Sequence, residues 1–184
     1  VDGHYENSTA AKAGLYANAQ VIAPEWAESQ GVIVSDTLLT GYGREDLVES
    51  ILDAGVPTVW VAVSRGSSTS TSSSTFSALR SRLGSRISRV KPIAQKDSGF
   101  LTVWARDWSP LGALTEGGKV RLLDLNYYPS RPADDSMSRT LESAEGFERV
   151  SMPVYNEGGN FTNNSRGECL MTPRVTDANA AKAV

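Results

Sequence analysis

The stretch Val103-Trp104-Ala105-Arg106-Asp107-Trp108-Ser109-Pro110 is the starting point, because it places two tryptophans, an arginine and an aspartate within eight residues. Its alternation predicts a strand in which Asp107 shares a side with small apolar residues. The pair Ser109-Pro110 is expected to end this strand, since proline has no N–H to donate to a ladder. A carboxylate beside indole rings is a good receptor for a flat cation such as a guanidinium. The alternative is an ordinary strand end, with Arg106 and Asp107 solvated or salt-bridged.

Composition limits the classes of protein to which the chain can belong. Its 184 residues suffice for one domain with a proper core and are few for two. The net charge is −3 and there is no basic run, so neither a nucleic acid nor a membrane surface is expected as a partner. No apolar stretch approaches the roughly 18 residues that a membrane helix needs, and none is typical of a signal peptide.

Cysteine and histidine are almost absent. The single cysteine, Cys169, cannot form an internal disulfide, so cysteine content does not fix the compartment. The single histidine, His4, lies in a polar segment, residues 1–18, that is predicted to be mobile. The spacing of His and Cys predicts no metal site, and no Gly-x-Gly-x-x-Gly follows a strand. No cofactor is therefore expected.

Hydrophobic spacing predicts alternating helices and strands. Apolar residues recur at helical spacing in 44–55, which ends at a glycine, and 58–63 is a β-branched run expected to be a strand covered on both faces. Residues 65–75 are a Ser/Thr-rich surface loop. The remaining predictions are strands at 31–35, 87–94, 149–155 and 168–172, helices at 76–84 and 136–145, and a hairpin of strands 111–114 and 120–125.

The order of these elements indicates an α/β protein built from repeated units. It runs strand, helix, strand, helix, strand, hairpin, helix, strand, hairpin, with roughly fifty to sixty residues per helix-containing unit. This is not the order of one closed Rossmann sheet.

Several motifs in one order resemble a known family. Trp104-Ala105-Arg106-Asp107-Trp108-Ser109-Pro110 resembles the Trp-x-Arg-Asp-x-x-Pro signature of the agmatine deiminase and bacterial peptidylarginine deiminase family, part of the guanidine-modifying pentein superfamily. The loop Tyr127-Tyr128-Pro129-Ser130-Arg131-Pro132-Ala133-Asp134-Asp135 is similar to that of the secreted bacterial peptidylarginine deiminases. Three further segments look like the family's opening strand, its Glu-Gly-Gly motif and the strand after that motif: Pro24-Glu25-Trp26 with Gly31-Val32-Ile33-Val34, Asn156-Glu157-Gly158-Gly159-Asn160, and Glu168-Cys169-Leu170-Met171-Thr172.

The resemblance covers about residues 19–179 and implies a fold and a set of site residues. The fold is a five-bladed pseudo-symmetric α/β propeller around a central channel, of which 19–184 would be the N-terminal portion of a single catalytic domain. Asp107 would be one of two carboxylates that hold the guanidinium, and Trp104 would line the slot. Arg131 matches an arginine that reads the carboxylate of a C-terminal arginine, but the companion position holds Pro129, which departs from the pattern. Glu157 and Asn160 would line the site or orient its partners.

The implied activity is hydrolysis of the guanidinium of peptidyl-arginine to citrulline and ammonia through a covalent thiouronium. The family's His-x-Asp pair and nucleophilic cysteine belong to later modules, and Cys169 falls where the family has an ordinary residue. We therefore expect a C-terminal fragment of the same precursor, cleaved after a loop such as 177–184, to complete the fold. The resemblance favours a secreted or periplasmic protein, with a cytoplasmic one as the alternative.

Two other functions fit the sequence. One is a deiminase of agmatine or free arginine, against which the Tyr-Tyr-Pro-Ser-Arg-Pro loop argues. The other is a non-catalytic pentein that serves as a binding module, which the lack of a His-x-Asp pair would fit without a missing half.

Overall fold

A computed structural model describes residues 21–24, 27–115, 118–164, 166 and 168–180. The predicted N-terminal segment 1–18, with His4, lies outside the described residues, as do Glu25 and Trp26 of the resemblance.

The described elements follow the predicted alternation of strands and helices. Three single turns or short runs of 3₁₀ helix, at Ser74–Phe76, Gly84–Arg89 and Gly158–Asn160, interrupt it. In chain order the other elements are β1 Val21–Ile22, β2 Gly31–Ser35, α1 Thr37–Thr40, α2 Glu45–Asp53, β3 Thr58–Val63, α3 Ser77–Leu83, β4 Val90–Ala94, α4 Ala105–Trp108, β5 Leu111–Leu114, β6 Val120–Asn126, α5 Pro132–Asp135, α6 Met137–Glu145, β7 Glu148–Tyr155, β8 Phe161–Asn163, β9 Cys169–Met171 and α7 Pro173–Ala180.

The first sheet is parallel, in the order β2-β3-β4. Its central strand β3 is buried along almost its whole length, which confirms the strand predicted from the β-branched run. Val59, Val61 and Val63 alternate along β3 and pack against apolar side chains of α2 and α3, among them Val48 and Leu79. The helical spacing of the apolar residues therefore correctly predicted that α2 packs on the sheet.

The second sheet has the order β1-β5-β6-β7, antiparallel from β1 to β6 and parallel from β6 to β7. The predicted hairpin of β5 and β6 is confirmed. Helix α6 joins the parallel pair β6 and β7, as a parallel connection requires. Trp60 and Ala62, on the face of β3 opposite its valines, share a second apolar core with Trp108, Leu122 and Met137. This core joins the two sheets.

The predicted strand at 103–110 is wrong, because residues Ala105–Trp108 form the helical turn α4. The carbonyl of Trp104 accepts the amides of Asp107 and Trp108 at 2.9 and 3.3 Å. The alternating pattern predicted that both indoles lie on the same face, but Trp108 is buried whereas Trp104 is 59% exposed. Only one of the two side chains therefore has to point into the core, and a helical turn allows this without a partner strand.

Helices α1 and α7 were not predicted, and the start of β4 also differs from the prediction. A 3₁₀ helix occupies Gly84–Arg89, so β4 begins at Val90 rather than Ile87. Residues 177–180, expected in an exposed loop, belong to helix α7, and Asn179 pairs there with the backbone of Tyr155. This pairing gives the polar tail a structured role that its composition does not indicate.

Within the described ranges, no helix is long and apolar enough to cross a membrane.

Candidate functional site

Asp107 lies where two of the sequence motifs meet. Helix α4 packs on the 3₁₀ turn Gly158–Asn160, and the amide of Gly159 donates to Asp107 Oδ1 at 3.1 Å. A Cβ atom on Gly158 would lie 2.1 Å from the carbonyl oxygen of Arg106, and one on Gly159 would lie 2.6 Å from Asp107 Oδ1. Gly158 thus permits a close backbone contact that any side chain would block, whereas the atom opposite Gly159 belongs to the side chain of Asp107.

Arg131 packs on the rings of two tyrosines. The Arg131 guanidinium lies 5.9 Å from the ring centroid of Tyr127 and 5.4 Å from that of Tyr128, and its Nη1 donates to the Tyr127 hydroxyl at 3.2 Å. Burial raises the pKa of Tyr127, the charge of Arg131 opposes that rise, and the charge of Asp107 adds to it. Asp107 and Arg131 therefore both act electrostatically on the same phenol.

Glu157 is held by donors from three other elements or loops. The Tyr128 hydroxyl donates to Glu157 Oε1, Asn160 Nδ2 donates to Oε2 at 2.8 Å, and Arg174 of α7 approaches Oε1 to 3.4 Å. The hydrogen bond to Glu157 raises the pKa of Tyr128, and burial adds to the rise. The structure brings predicted residues Glu157 and Asn160 together, and it adds Tyr128 and Arg174, which sequence reasoning missed as site residues.

Trp104 precedes α4 and presents its indole to solvent. An exposed indole can cover a flat ligand near Asp107 without loss of a core contact. It belongs to the same turn as Asp107, whose amide bonds to the Trp104 carbonyl at 2.9 Å.

Asp134 supports the loop that leads into α4. It is fully buried and accepts the amide of Thr102 at 2.9 Å and its hydroxyl at 2.8 Å. The carbonyl of Thr102 in turn accepts Trp108 Nε1 at 3.2 Å. Burial raises the pKa of Asp134, while the bonds from Thr102 and the charge of Arg131 oppose that rise. From the sequence, Asp134 is identified only as part of the loop that resembles the deiminases; its buried role depends on Thr102, a partner 32 residues earlier.

A cavity of about 180 Å³ lies between the ends of β6 and β7 and helix α7. Asn156 Oδ1 is buried and has no hydrogen-bond partner in the described part of the chain. Of the predicted site residues, Glu157 and Asn160 line the cavity, whereas Trp104, Asp107 and Arg131 do not. The lining residues are Asn126, Tyr127, Tyr128, Tyr155, Asn156, Glu157, Asn160, Arg174, Val175 and Ala178.

The described site residues include two carboxylates near aromatic residues, Asp107 and Glu157. No group of three or more His, Cys, Asp or Glu within the described ranges could hold a metal ion. Cys169 is exposed on β9, opposite Asn163 of β8. The described residues include no histidine, so a proton shuttle of the histidine type would have to come from elsewhere.

Comparison with known proteins supports the fold. The sequence matches no protein-family model and no curated protein. Fourteen chains of solved structures match, among them one described as "Crystal structure of a putative peptidyl-arginine deiminase", with a TM-score of 0.60 and 17% identity. The match covers 87% of this chain and 48% of that chain, so this chain spans about half the length of that protein. At this identity the likeness shows a deiminase-like α/β fold.

Proposed function

We propose that this chain is the guanidinium-binding portion of a hydrolase that converts peptidyl-arginine to citrulline and ammonia. The observation that carries the proposal is the position of Asp107, whose carboxylate accepts the Gly159 amide in the turn that also presents the exposed Trp104. The deiminase-like fold and the motif resemblance support the same activity.

Asp107 would bind the substrate guanidinium, and Trp104 would cover its plane. The carbon of a guanidinium is a poor electrophile, because its positive charge is delocalised over three nitrogens. Hydrolysis therefore requires the ion to be fixed, a strong nucleophile to attack and an acid to protonate the leaving ammonia. The Asp107 carboxylate would fix the guanidinium in place, and the Gly159 amide fixes the orientation of that carboxylate.

Arg131, Glu157 and Asn160 would orient the rest of the substrate. The Arg131 guanidinium packs on the rings of Tyr127 and Tyr128, from which it can reach a substrate carboxylate or carbonyl. Glu157 and Asn160 are bonded to each other and so form a rigid pair beside the Asp107 turn. A cation that carries a peptide backbone uses all of these groups, which favours a peptidyl substrate over agmatine.

The nucleophilic cysteine and a His-x-Asp pair would come from the C-terminal part of the same precursor, in a completed five-bladed propeller. The thiolate would attack the guanidinium carbon, and the histidine would protonate the departing ammonia, leaving a thiouronium. Water would then add to that carbon and expel the thiolate, with citrulline as product. Two carboxylates, Asp107 and one from the other part, would hold the guanidinium through both steps.

The substitution Asp107→Asn tests the proposal in a citrulline assay on an arginine peptide with the C-terminal part present. We expect kcat/KM to fall by about 30-fold or more, since loss of one partner of a buried charge-assisted pair costs about 2–5 kcal/mol. Asp97→Asn is the matched control, because Asp97 is partly exposed and pairs with Arg139 rather than with the site. Unchanged turnover in Asp107→Asn would remove Asp107 from the site. Arginine binding without any citrulline in the assembled protein would instead favour a binding module.

A further inference from the structure

The cavity between the ends of β6 and β7 and helix α7 is not used by the guanidinium-binding groups proposed above. Its volume of about 180 Å³ is too large for one water molecule, whose share of liquid volume is about 30 Å³. Its sides include the rings of Tyr127, Tyr128 and Tyr155 and the aliphatic side chains of Val175 and Ala178. The cavity is thus shaped for a mostly apolar group.

The polar side chains around the cavity do not call for a charged ligand. Glu157 already accepts from Tyr128 and Asn160 and pairs with Arg174, so its charge is compensated. Asn156 Oδ1 has no hydrogen-bond partner within the described part of the chain, but it is enclosed by protein atoms, so a group in the cavity does not reach it. The cavity therefore favours an uncharged, mostly apolar group.

The cavity adjoins the Asp107 turn. Glu157 and Asn160, which line it, flank the Gly159 amide that bonds to Asp107 Oδ1. Tyr127 also lines the cavity, and its pKa responds to the charge of Asp107. A residue next to an arginine bound at Asp107 is expected to lie near this space, because the cavity and the Asp107 contact share the segment 157–160.

We propose that the cavity is a subsite for a residue adjacent to the target arginine. It takes an apolar side chain beside Tyr127, Tyr128, Tyr155 and α7. The proposal rests on the proposed function, because the arginine must first be bound at Asp107. It explains a preference for peptides over agmatine, which has no neighbouring residue to offer.

Calorimetric titration of the 184-residue chain assembled with its C-terminal part tests the subsite with short peptides. The probes are acetyl-leucyl-arginine amide, acetyl-arginyl-leucine amide and their glycine counterparts. We expect one leucine peptide to bind about tenfold or more tightly than its glycine counterpart, since burial of a leucine side chain is worth that much in affinity. Equal affinity of leucine and glycine peptides in both orders overturns the subsite.

The variant Ala178→Leu fills the cavity from an exposed helix position that tolerates leucine. It is expected to abolish the leucine preference and to leave the glycine peptides unaffected. Thr176→Leu, on the same helix and outside the cavity lining, is the matched control and should keep the preference. A preference that survives in Ala178→Leu overturns the proposal.

Asp107→Asn separates the two proposals in the same titration. Loss of binding of all four peptides in this variant supports the guanidinium site, whether or not the unsubstituted protein prefers leucine peptides. Failure of every peptide to bind the assembled, unsubstituted protein overturns both proposals, whereas equal binding of leucine and glycine peptides overturns the subsite alone.

Discussion

At Gly158 a single hydrogen atom in place of a side chain allows α4 and the 3₁₀ turn Gly158–Asn160 to touch. The carbonyl of Arg106 occupies the space where a Cβ atom would be, and Asp107 receives its amide donor from the next glycine. Backbone atoms cannot move aside as a flexible side chain can, so the contact depends on glycine at this position.

Gly158→Ala is therefore expected to destabilise the protein by about 1–3 kcal/mol, the usual cost of overpacking. Urea unfolding measures the loss as a lower midpoint. Gly112→Ala is the matched control, because a Cβ atom on Gly112 meets nothing within 4 Å. Equal midpoints for Gly158→Ala and the unmodified protein would show that α4 and the turn at 158 do not depend on close approach.

Asp134 is a buried acid whose protonated form the fold favours. Burial raises its pKa above the ordinary 3.8, so the folded protein holds the proton more tightly than the unfolded chain does. The stabilising contribution is then complete below the unfolded pKa and is lost as pH rises through the folded one.

Asp134→Asn should remove this pH dependence. The amide still accepts the Thr102 N–H and can donate to the Thr102 hydroxyl, so the loop contacts survive. We expect the unmodified protein to lose stability relative to the variant as pH rises from about 4, measured by urea midpoints at pH 3.5 and 7. Burial also raises the pKa of Asp36. Because Asp36 is present in both proteins, its effect on stability cancels in the difference between them. A difference that is independent of pH would contradict the assignment.

Among the elements, helix α7 bonds to the end of β7 through the side chain of Asn179. Asn179 Oδ1 accepts the Tyr155 amide and Asn179 Nδ2 donates to the Tyr155 carbonyl, both at 2.8 Å. The side-chain amide thus satisfies both backbone groups of the strand's last residue, as a neighbouring strand would. This contact also fixes one side of the cavity.

Asn179→Ala should leave both backbone groups of Tyr155 without these partners and destabilise α7 by about 1–3 kcal/mol. Hydrogen exchange at the Tyr155 amide measures the effect as faster exchange. Asp177→Ala, an exposed position on the same helix, should leave the exchange rate unchanged. Unchanged protection in Asn179→Ala would show that α7 is held by its apolar contacts, chiefly the buried Val175.

At the scale of the whole molecule, the two larger sheets share a core, whereas strand β9 of the β8–β9 pair is exposed to solvent. Trp60 belongs to the core that both sheets share, and Gly31 of the adjacent strand leaves room for its ring, since a Cβ atom there would lie 2.2 Å from the indole. In contrast, every residue of β9 is exposed, and Leu170 and Met171 are 71% and 54% exposed. An exposed apolar strand edge favours association.

Leu170→Lys tests whether β9 receives the proposed C-terminal part. The stability of the isolated chain should change by no more than about 0.5 kcal/mol, because the position is exposed. Affinity for the separately produced C-terminal part should fall by about tenfold or more, the value of one buried leucine. Leu47→Lys, exposed on α2, is the control. A folded, active species of 19.7 kDa alone would contradict the need for a second part.

The sequence by itself determined the elements whose signals are local. Helical spacing of apolar residues predicted α2, and a β-branched run predicted β3. The turn residues between β5 and β6 predicted a hairpin. In each case the local conformational propensity agrees with the burial pattern. The motifs also identified Asp107 and the Glu157 segment as candidates for one site, although only their order along the chain linked them.

Only the tertiary structure decided how those candidates meet. The 103–110 segment has the alternation of a strand, yet the burial of Trp108 and the Thr102 bonds to Asp134 impose a helical turn. The contact of Gly159 with Asp107 joins residues 52 positions apart, and Asn179 joins Tyr155 across 24. Such contacts form when distant segments pack against one another, so no periodicity within either segment records them.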